Sequence, residues 1–188
     1  MFTLLGEPVT VLQSASLWGY DMECILFRHG IAMDREEWKG PDSQRPLTAK
    51  GAAKTRQAVA GLVRQEITPT HVMSSPYVRA KETAKLVRDA FGLRAEVQVC
   101  DELLPDSPPD KLLVLLSTLP QDACVICVGH EPHLGEAGGL ILFGEPVPGL
   151  SLKKAGACSF HFDSAPKAGR GVLNWWLTPS QLRGLRKD

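Results

Sequence analysis

The sequence predicts an α/β protein, a three-layer α/β/α sandwich built around a mainly parallel sheet with an antiparallel edge. Strand and helix patterns alternate from residue 23 to about residue 143, which is typical of parallel strands joined by helices. Residues 123–128 (ACVICV) are apolar without alternation, as in a central strand covered on both faces. The last two predicted strands follow one another through a turn rich in Gly, Pro and Lys at residues 164–171, which indicates a closing antiparallel hairpin.

The predicted elements follow from periodicity and from turn residues. In chain order the strands are expected at residues 24–27, 71–73, 95–99, 123–128, 157–162 and 172–177. The clearest helical stripe, with the spacing i, i+3, i+4, i+7 and i+11, consists of Ala80, Thr83, Ala84, Val87 and Phe91. Pro76 suits the first turn of this helix and Gly92 its end. Further helices are predicted from Thr48 to about Gln65, over residues 110–119, over residues 134–143 and at the C-terminus.

Length and composition indicate one globular domain. Of the 188 residues, we expect residues 22–188 to form the domain and residues 1–21 to be a dispensable N-terminal appendage. Residues 1–21 contain no Lys or Arg, so they do not fit a secretory signal. A formal net charge of zero argues against general nucleic-acid binding, and without a run of about 18 apolar residues no membrane span is expected.

The five cysteines are an odd number without the spacing of a disulfide framework, which favours free thiols and a cytoplasmic location. Cys124 and Cys127 form a CxxC pattern, but residues i and i+3 of a strand face opposite sides of the sheet. They therefore cannot share a metal ion. We predict neither a metal site nor a cofactor.

Polar clusters follow three of the predicted strands. These are RHG at residues 28–30, SSPYVR at residues 74–79 and GH at residues 129–130. Ligands of open parallel sheets bind at the carboxyl ends of the strands. Four basic side chains are therefore expected at one edge: Arg28, His29, Arg79 and His130. Two arginines and two histidines without clustered carboxylates predict a pocket for a doubly charged oxyanion such as phosphate.

Each residue type has a physical reason to be in such a pocket. An arginine donates paired hydrogen bonds to phosphate and stays charged. Gly30 would let the backbone approach the anion closely, and a helix that opens at Pro76 would add amide donors. A histidine can act as a neutral nucleophile or as a cation near pH 7. His133, at the start of a predicted helix, either lines the rim of this pocket or is structural.

Several motifs together resemble those of the histidine phosphatase superfamily, whose fold is shared with phosphoglycerate mutases. They are FRHGIA at residues 27–32, RPLTAKG at 45–51, SSPYVRAKETA at 74–84 and VGH at 128–130. The compact size, DELLPD at residues 101–106 and NWWLTPSQL at 174–182 are similar to the SixA-type phosphohistidine phosphatase branch. The resemblance covers about residues 22–183.

The resemblance implies roles for individual residues. His29 resembles the nucleophile that becomes phosphorylated, and His130 the histidine that hydrogen-bonds the transferring group. Arg28 and Arg79 resemble the phosphate-binding arginines. Arg45 would reach the phosphate or anchor its own loop. Glu102 stands where many members carry a carboxylate that protonates the leaving group; otherwise it is a solvated acid.

The resemblance also implies a function. We expect a metal-independent phosphatase that forms a phosphohistidine intermediate, removes phosphate from phosphohistidine in a signalling or phosphotransfer protein and releases inorganic phosphate. One alternative is a phosphomonoesterase for a small phosphorylated substrate, and another is a non-catalytic phosphate-binding module. No nucleic-acid or membrane partner is expected.

Overall fold

The computed structural model describes residues 19–185, so residues 1–18 of the expected N-terminal appendage lie outside the described residues. One sheet of six strands has the order β3-β2-β4-β1-β5-β6. The strands are β1 (Met22–Arg28), β2 (His71–Ser74), β3 (Gln98–Val99), β4 (Cys124–Gly129), β5 (Ala157–Phe162) and β6 (Val172–Leu177). The helices are α1 (Ala49–Val63), α2 (Val78–Ala90), α3 (Asp110–Ser117), α4 (His133–Phe143) and α5 (Pro179–Gly184).

The sheet is parallel through its first four positions and antiparallel at one edge, as predicted. β4 pairs in parallel with β1 and β2, whereas β5 runs antiparallel to β1 and to β6. β3 is shorter than the predicted strand 95–99. Only Gln98 and Val99 pair with β2, and both side chains are exposed. The pairing with β2 does not reach residues 95–97.

Two apolar cores, one on each face of the sheet, confirm the three layers. Helices α1, α2 and α5 bury Leu62, Val87 and Leu182 on one face. Helices α3 and α4 cover the other face, where Leu116 and Ile141 are fully buried. The two CxxC cysteines follow this division as expected: Cys124 packs against the first core, and Cys127 is buried in the second.

Strand register brings three strand ends to the same edge of the sheet. Arg28 at the end of β1 is level with Gly129 at the end of β4, and Ser74 at the end of β2 is level with Val128. Because β5 is antiparallel to β1, the loop before β5 arrives at this edge as well. The amide of Ala155 in that loop donates to the carbonyls of both Arg28 and His29.

Helix α1 begins where the sequence predicts, whereas helix α2 begins later than the sequence predicts. The Thr48 hydroxyl accepts the Gly51 amide and caps α1, as its position predicts. Helix α2 begins at Val78, two residues after Pro76, because residues 75–77 make the turn out of β2.

Among residues 19–185, every helix is too short or too polar to cross a bilayer.

Candidate active site

A cleft of about 420 Å³ opens at the edge of the sheet where β1, β2 and β4 end. It is lined by the four basic residues that the sequence brings to this edge: Arg28, His29, Arg79 and His130. Other parts of the wall come from the segment before α1, the segment after β3 and the loop before β5. These further lining residues are Arg35, Asp42, Arg45, Tyr77, Pro105, Asp106, Glu131 and Lys154.

His29 is held as a neutral imidazole with one defined tautomer. Its Nδ1 lies 2.7 Å from the carbonyl oxygen of Gly30, which can only accept, so the ring proton is on Nδ1. The lone pair of Nε2 then accepts the Nε–H of Arg79 at 3.2 Å. Burial is the main cause that lowers the pKa of His29 to about 3. The hydrogen bond to Gly30 raises this pKa, whereas the charges of Arg79, Arg28 and Lys154 lower it further. At neutral pH the Nε2 atom of His29 is therefore unprotonated, and its lone pair accepts the Arg79 N–H.

Arg79 is fixed on three sides at the floor of the cleft. Its Nε donates to His29, its Nη1 donates to the Asp42 carbonyl at 2.8 Å, and its Nη2 lies 3.1 Å from the Asp42 carboxylate. The guanidinium also lies over the Tyr77 ring, 4.8 Å from the ring centre. Three of its five N–H groups have partners here, which leaves two to bind an oxyanion.

Asp42 joins the segment before α1 to the site. Besides Arg79, its carboxylate pairs with Arg45 Nε at 2.9 Å and with Arg35 at 3.3 Å. Burial opposes ionisation, but these arginines outweigh it and hold the pKa of Asp42 below its ordinary value. Arg45 also donates to the Met33 carbonyl at 2.6 Å, so it anchors its own segment while it lines the cleft.

Arg28 is held by the loop before β5. Its Nη1 donates to the carbonyl of Leu152 at 2.6 Å, and the amide of Leu152 donates to Glu131 Oε1 at 2.7 Å. Burial lowers the pKa of Arg28, and nearby Glu131 opposes this change. The buried Nε of Arg28 has no partner among the described residues, so it keeps hydrogen-bond capacity for a ligand.

His130 completes the ring of basic side chains. Its ring centre lies 4.9 Å from that of His29, and the Tyr77 ring meets it edge-on at 5.0 Å. Its Nε2 is 2.9 Å from the hydroxyl oxygen of Ser75. Burial, followed by the charges of His29 and Arg79, lowers the pKa of His130 to about 2. His130 is therefore also neutral at pH 7.

Gly30 corrects one expectation from the sequence. Its amide does not face the cleft but donates to the Thr83 hydroxyl at 3.0 Å. A Cβ at this position would collide with the hydroxyl of Thr55, which is fully buried under the segment. Close packing against α1, rather than close approach of an anion to the Gly30 backbone, requires glycine here.

Glu102 and His133 do not line the cleft. Glu102 lies on a short 3-10 turn and lines a smaller cavity of about 230 Å³, which shares Asp106 with the cleft. Glu102 is not among the residues that line the cleft itself, where Pro105 and Asp106 stand on that side. His133 is completely buried at the start of α4, and neither ring nitrogen has a partner among the described residues. Of its two interpretations, the structure favours the structural one.

Within residues 19–185, His, Cys, Asp and Glu side chains form no group of three that could hold a metal ion. The positive charge around the cleft comes from arginine and lysine side chains instead. This arrangement can bind a phosphoryl group between Arg28 and Arg79, with the lone pair of His29 Nε2 beside it.

Sequence reasoning missed Asp42, Glu131 and Lys154 as parts of the site. Asp42 stands three residues before Arg45 in a 3-10 turn that begins after Pro41, a spacing that could have suggested a local ion pair. Glu131 directly follows His130, so its nearness could have been read from the chain. Lys154 could have been found only by knowing that the loop before β5 returns to the same edge.

Comparisons with known proteins agree with this geometry. A sequence profile of the histidine phosphatase superfamily (branch 1) matches residues 24–104. An uncharacterized protein of Picosynechococcus is 37% identical over 137 residues, which cover 72% of this chain and 82% of the relative. The phosphohistidine phosphatase SixA of Escherichia coli is 27% identical over 165 residues, which cover 86% of this chain and 97% of the relative.

A solved structure of the protein histidine phosphatase SixA, complexed with tungstate, superposes with a TM-score of 0.75 and 28% identity. The match covers 86% of this chain and 99% of that chain. Fold, sequence and the basic cleft at the strand ends thus lead to one assignment. The chain belongs to the histidine phosphatase superfamily, within its SixA-type branch, and it is a phosphatase.

Proposed function

We propose that this phosphatase removes the phosphoryl group from phosphohistidine in a protein, with His29 as the nucleophile. The observation that carries the role of His29 is its neutral ring, whose proton is on Nδ1 and whose Nε2 lone pair lies next to two arginines. A group that must attack phosphorus needs a free electron pair at working pH. The unprotonated Nε2 of His29 has one once Arg79 Nε turns to the phosphoryl group, and His29 is only 6% exposed to water.

The reaction has two steps. First, the phosphoryl group binds Arg28 and Arg79, and Arg79 Nε leaves His29 Nε2 for a phosphoryl oxygen. Nε2 then forms a bond to phosphorus while the P–N bond of the substrate breaks, and the leaving imidazole keeps the electron pair and a proton. In the second step a water oxygen attacks phosphorus, the bond to Nε2 breaks, and inorganic phosphate leaves while a proton passes to solvent. Positioning and charge neutralisation supply most of the catalysis in such transfers.

The cleft carboxyls support phosphohistidine as the substrate. Asp42 is paired with three arginines and its pKa is lowered, so it holds no proton to give at neutral pH. Glu131 Oε1 accepts the Leu152 amide, which favours the charged carboxylate, although burial raises the pKa of Glu131. An alkoxide needs a proton as it leaves, whereas an imidazole on phosphorus can leave with a proton that it already carries. Because Asp42, the carboxylate that binds Arg79, holds no proton, the contacts of Arg79 suit the second leaving group.

The SixA relatives give independent support, since their names describe action on phosphohistidine or on histidine in a protein. The cleft is also open at the edge of the sheet, and exposed Asp106 stands at its side. A side chain of another protein can enter such a cleft.

The test is capture of the phosphoenzyme. A histidine-phosphorylated peptide with labelled phosphate is mixed with the enzyme and quenched with alkali within milliseconds. Wild type should carry an alkali-stable, acid-labile label, and His29→Asn should carry none and lose at least about a thousandfold in turnover. His71→Asn is the matched control, because His71 lies on β2 at the opposite end from the cleft. Label on His29→Asn would refute the assignment.

Hydrolysis of a small phosphate monoester is the second candidate, and Asp106 is the feature that favours it. Its carboxyl lines the cleft and makes no hydrogen bond or ion pair with the described residues, so it is free to approach a leaving group. Asp106→Asn should leave phosphohistidine hydrolysis within about threefold and cut monoester hydrolysis by about a hundredfold. Rates on a panel of monoesters that match or exceed the rate on phosphohistidine peptide would favour this second function.

A further inference from the structure

Ser75 is a buried residue between β2 and His130 whose hydroxyl the reaction described above does not use. Its backbone amide donates to the Val128 carbonyl at 3.0 Å, which fixes the end of β2 against β4. Its hydroxyl oxygen lies 2.9 Å from Nε2 of His130. Ser75 has no exposed surface, and His130 is 2% exposed. This bond is therefore made in an environment that excludes water.

The direction of this hydrogen bond follows from the other contact of the hydroxyl. The Tyr77 amide, which can only donate, points at the Ser75 oxygen at 3.4 Å. A serine hydroxyl has one proton to give, and His130 Nε2 is its only acceptor among the described residues. If Nε2 carried the ring proton instead, the Ser75 hydroxyl would be a buried donor without an acceptor, which is costly.

The ring of His130 then has a defined proton arrangement. Nε2 accepts from Ser75, so the single proton of the neutral ring is on Nδ1. Nδ1 of His130 is buried and has no partner among the described residues. Its N–H is therefore a donor in need of an acceptor, within a ring whose centre is 4.9 Å from that of His29. A phosphoryl oxygen bound next to His29 would satisfy it.

We propose that Ser75 is a positioning residue that keeps the proton of His130 on Nδ1, so that His130 donates a hydrogen bond to the transferring phosphoryl group. The inference rests on the proposed function for the identity of the acceptor. The proton arrangement itself rests only on the contacts of Ser75, Tyr77 and His130. His29 and His130 thus share one tautomer but use it differently: His29 offers the lone pair of Nε2 to phosphorus, and His130 offers the N–H of Nδ1 to a phosphoryl oxygen.

Ser74 offers a matched control. It is the preceding residue, equally buried, and its hydroxyl donates to the Ser75 carbonyl at 2.9 Å instead of to a ring nitrogen. Ser74→Ala therefore removes the same atoms from the same motif without touching His130. Ser75→Thr keeps the hydroxyl that Ser75→Ala removes.

The experiment reads the tautomer directly by two-bond ¹H–¹⁵N correlation spectra of the full chain labelled with ¹⁵N-histidine at pH 7. His130 signals are assigned by their loss in His130→Gln. Wild type and Ser74→Ala should show the pattern of a ring protonated on Nδ1. Ser75→Ala should lose that pattern and about tenfold in kcat/KM on a phosphohistidine peptide, the effect expected from one neutral hydrogen bond. Ser75→Thr should restore both.

Two results would overturn the inference: a wild-type ring protonated on Nε2, or an Nδ1-protonated ring that survives Ser75→Ala. The first of these results is read from the wild-type spectrum alone, so it does not depend on whether a variant folds. If the spectra follow the expected pattern while wild type does not hydrolyse phosphohistidine, the proposed substrate fails and the proton arrangement stands.

Discussion

Mild acid should destabilise this protein, because the fold keeps three histidines neutral. His29, His130 and His133 are buried, and burial lowers their pKa values to about 3, about 2 and about 4. In the unfolded chain a histidine titrates with a pKa near ~6.5. At a pH between the folded and the unfolded pKa values, these histidines bind protons in the unfolded state but not in the folded state.

The sign and the size of the effect follow from proton linkage. The folded state is favoured fully above pH ~6.5 and loses stability as the pH falls toward the lowered pKa values. At pH 5 each of the three histidines costs about 2 kcal/mol, and together they cost about 6 kcal/mol, against a typical total stability of about 5–15 kcal/mol. Asp42, whose pKa is also lowered, adds to the loss only at more acidic pH, and Glu131, whose pKa is raised by burial, opposes it.

Urea unfolding followed by circular dichroism at pH 7.5 and pH 5.0 measures the loss. His133→Leu isolates one contribution, because His133 is outside the cleft and its ring makes no hydrogen bond with the described residues. This variant should lose about 4 kcal/mol between the two pH values where wild type loses about 6 kcal/mol. A wild-type loss below about 2 kcal/mol, or an equal loss in both proteins, would refute the reasoning.

Three further predictions concern other parts of the molecule. Glu102→Gln should leave kcat/KM unchanged within about twofold on phosphohistidine and on monoesters, since Glu102 is outside the cleft. A larger loss of kcat/KM in steady-state assays would show that Glu102 takes part in the reaction. Gly61→Ala should lower stability by about 1–3 kcal/mol, because the new Cβ would meet the Leu182 carbonyl where α5 packs on α1. Gly184→Ala, with open space around its Cβ, is its control, and equal Tm values for the two variants would contradict the packing argument. EDTA should not change activity, because Arg28 and Arg79 supply the charge that a metal ion would; loss of activity on EDTA with recovery on Mg²⁺ would show otherwise.

The three layers and the antiparallel edge could be predicted because they depend on local patterns. The unbroken apolar run of β4 requires cover on both faces, and the succession of β5 and β6 without a helix requires an antiparallel edge. The length of β3 could not be read in this way. Residues 95–97 have strand-like character, but their pairing depends on how far β2 extends beside them.

The basic side chains of the cleft could be predicted because they lie at strand ends or, for Arg79, at the start of the helix that follows β2. Contacts between distant segments could not. Arg28 ends β1 and lines the cleft, whereas Glu102 stands three residues after β3 on a 3-10 turn and lines the neighbouring cavity. Asp42 is far from any strand and reaches Arg79 only because the segment before α1 folds over the cleft.

The loop before β5, whose Ala155 amide binds the carbonyls of Arg28 and His29, also bears on synthesis of the chain. Arg28 and His29 are translated early, but Leu152 and Ala155, which bind them, come more than 120 residues later. A nascent chain that has exposed β1 to β4 still lacks the support of Arg28 by Leu152. The ribosome must therefore release most of the domain before this wall of the cleft can form.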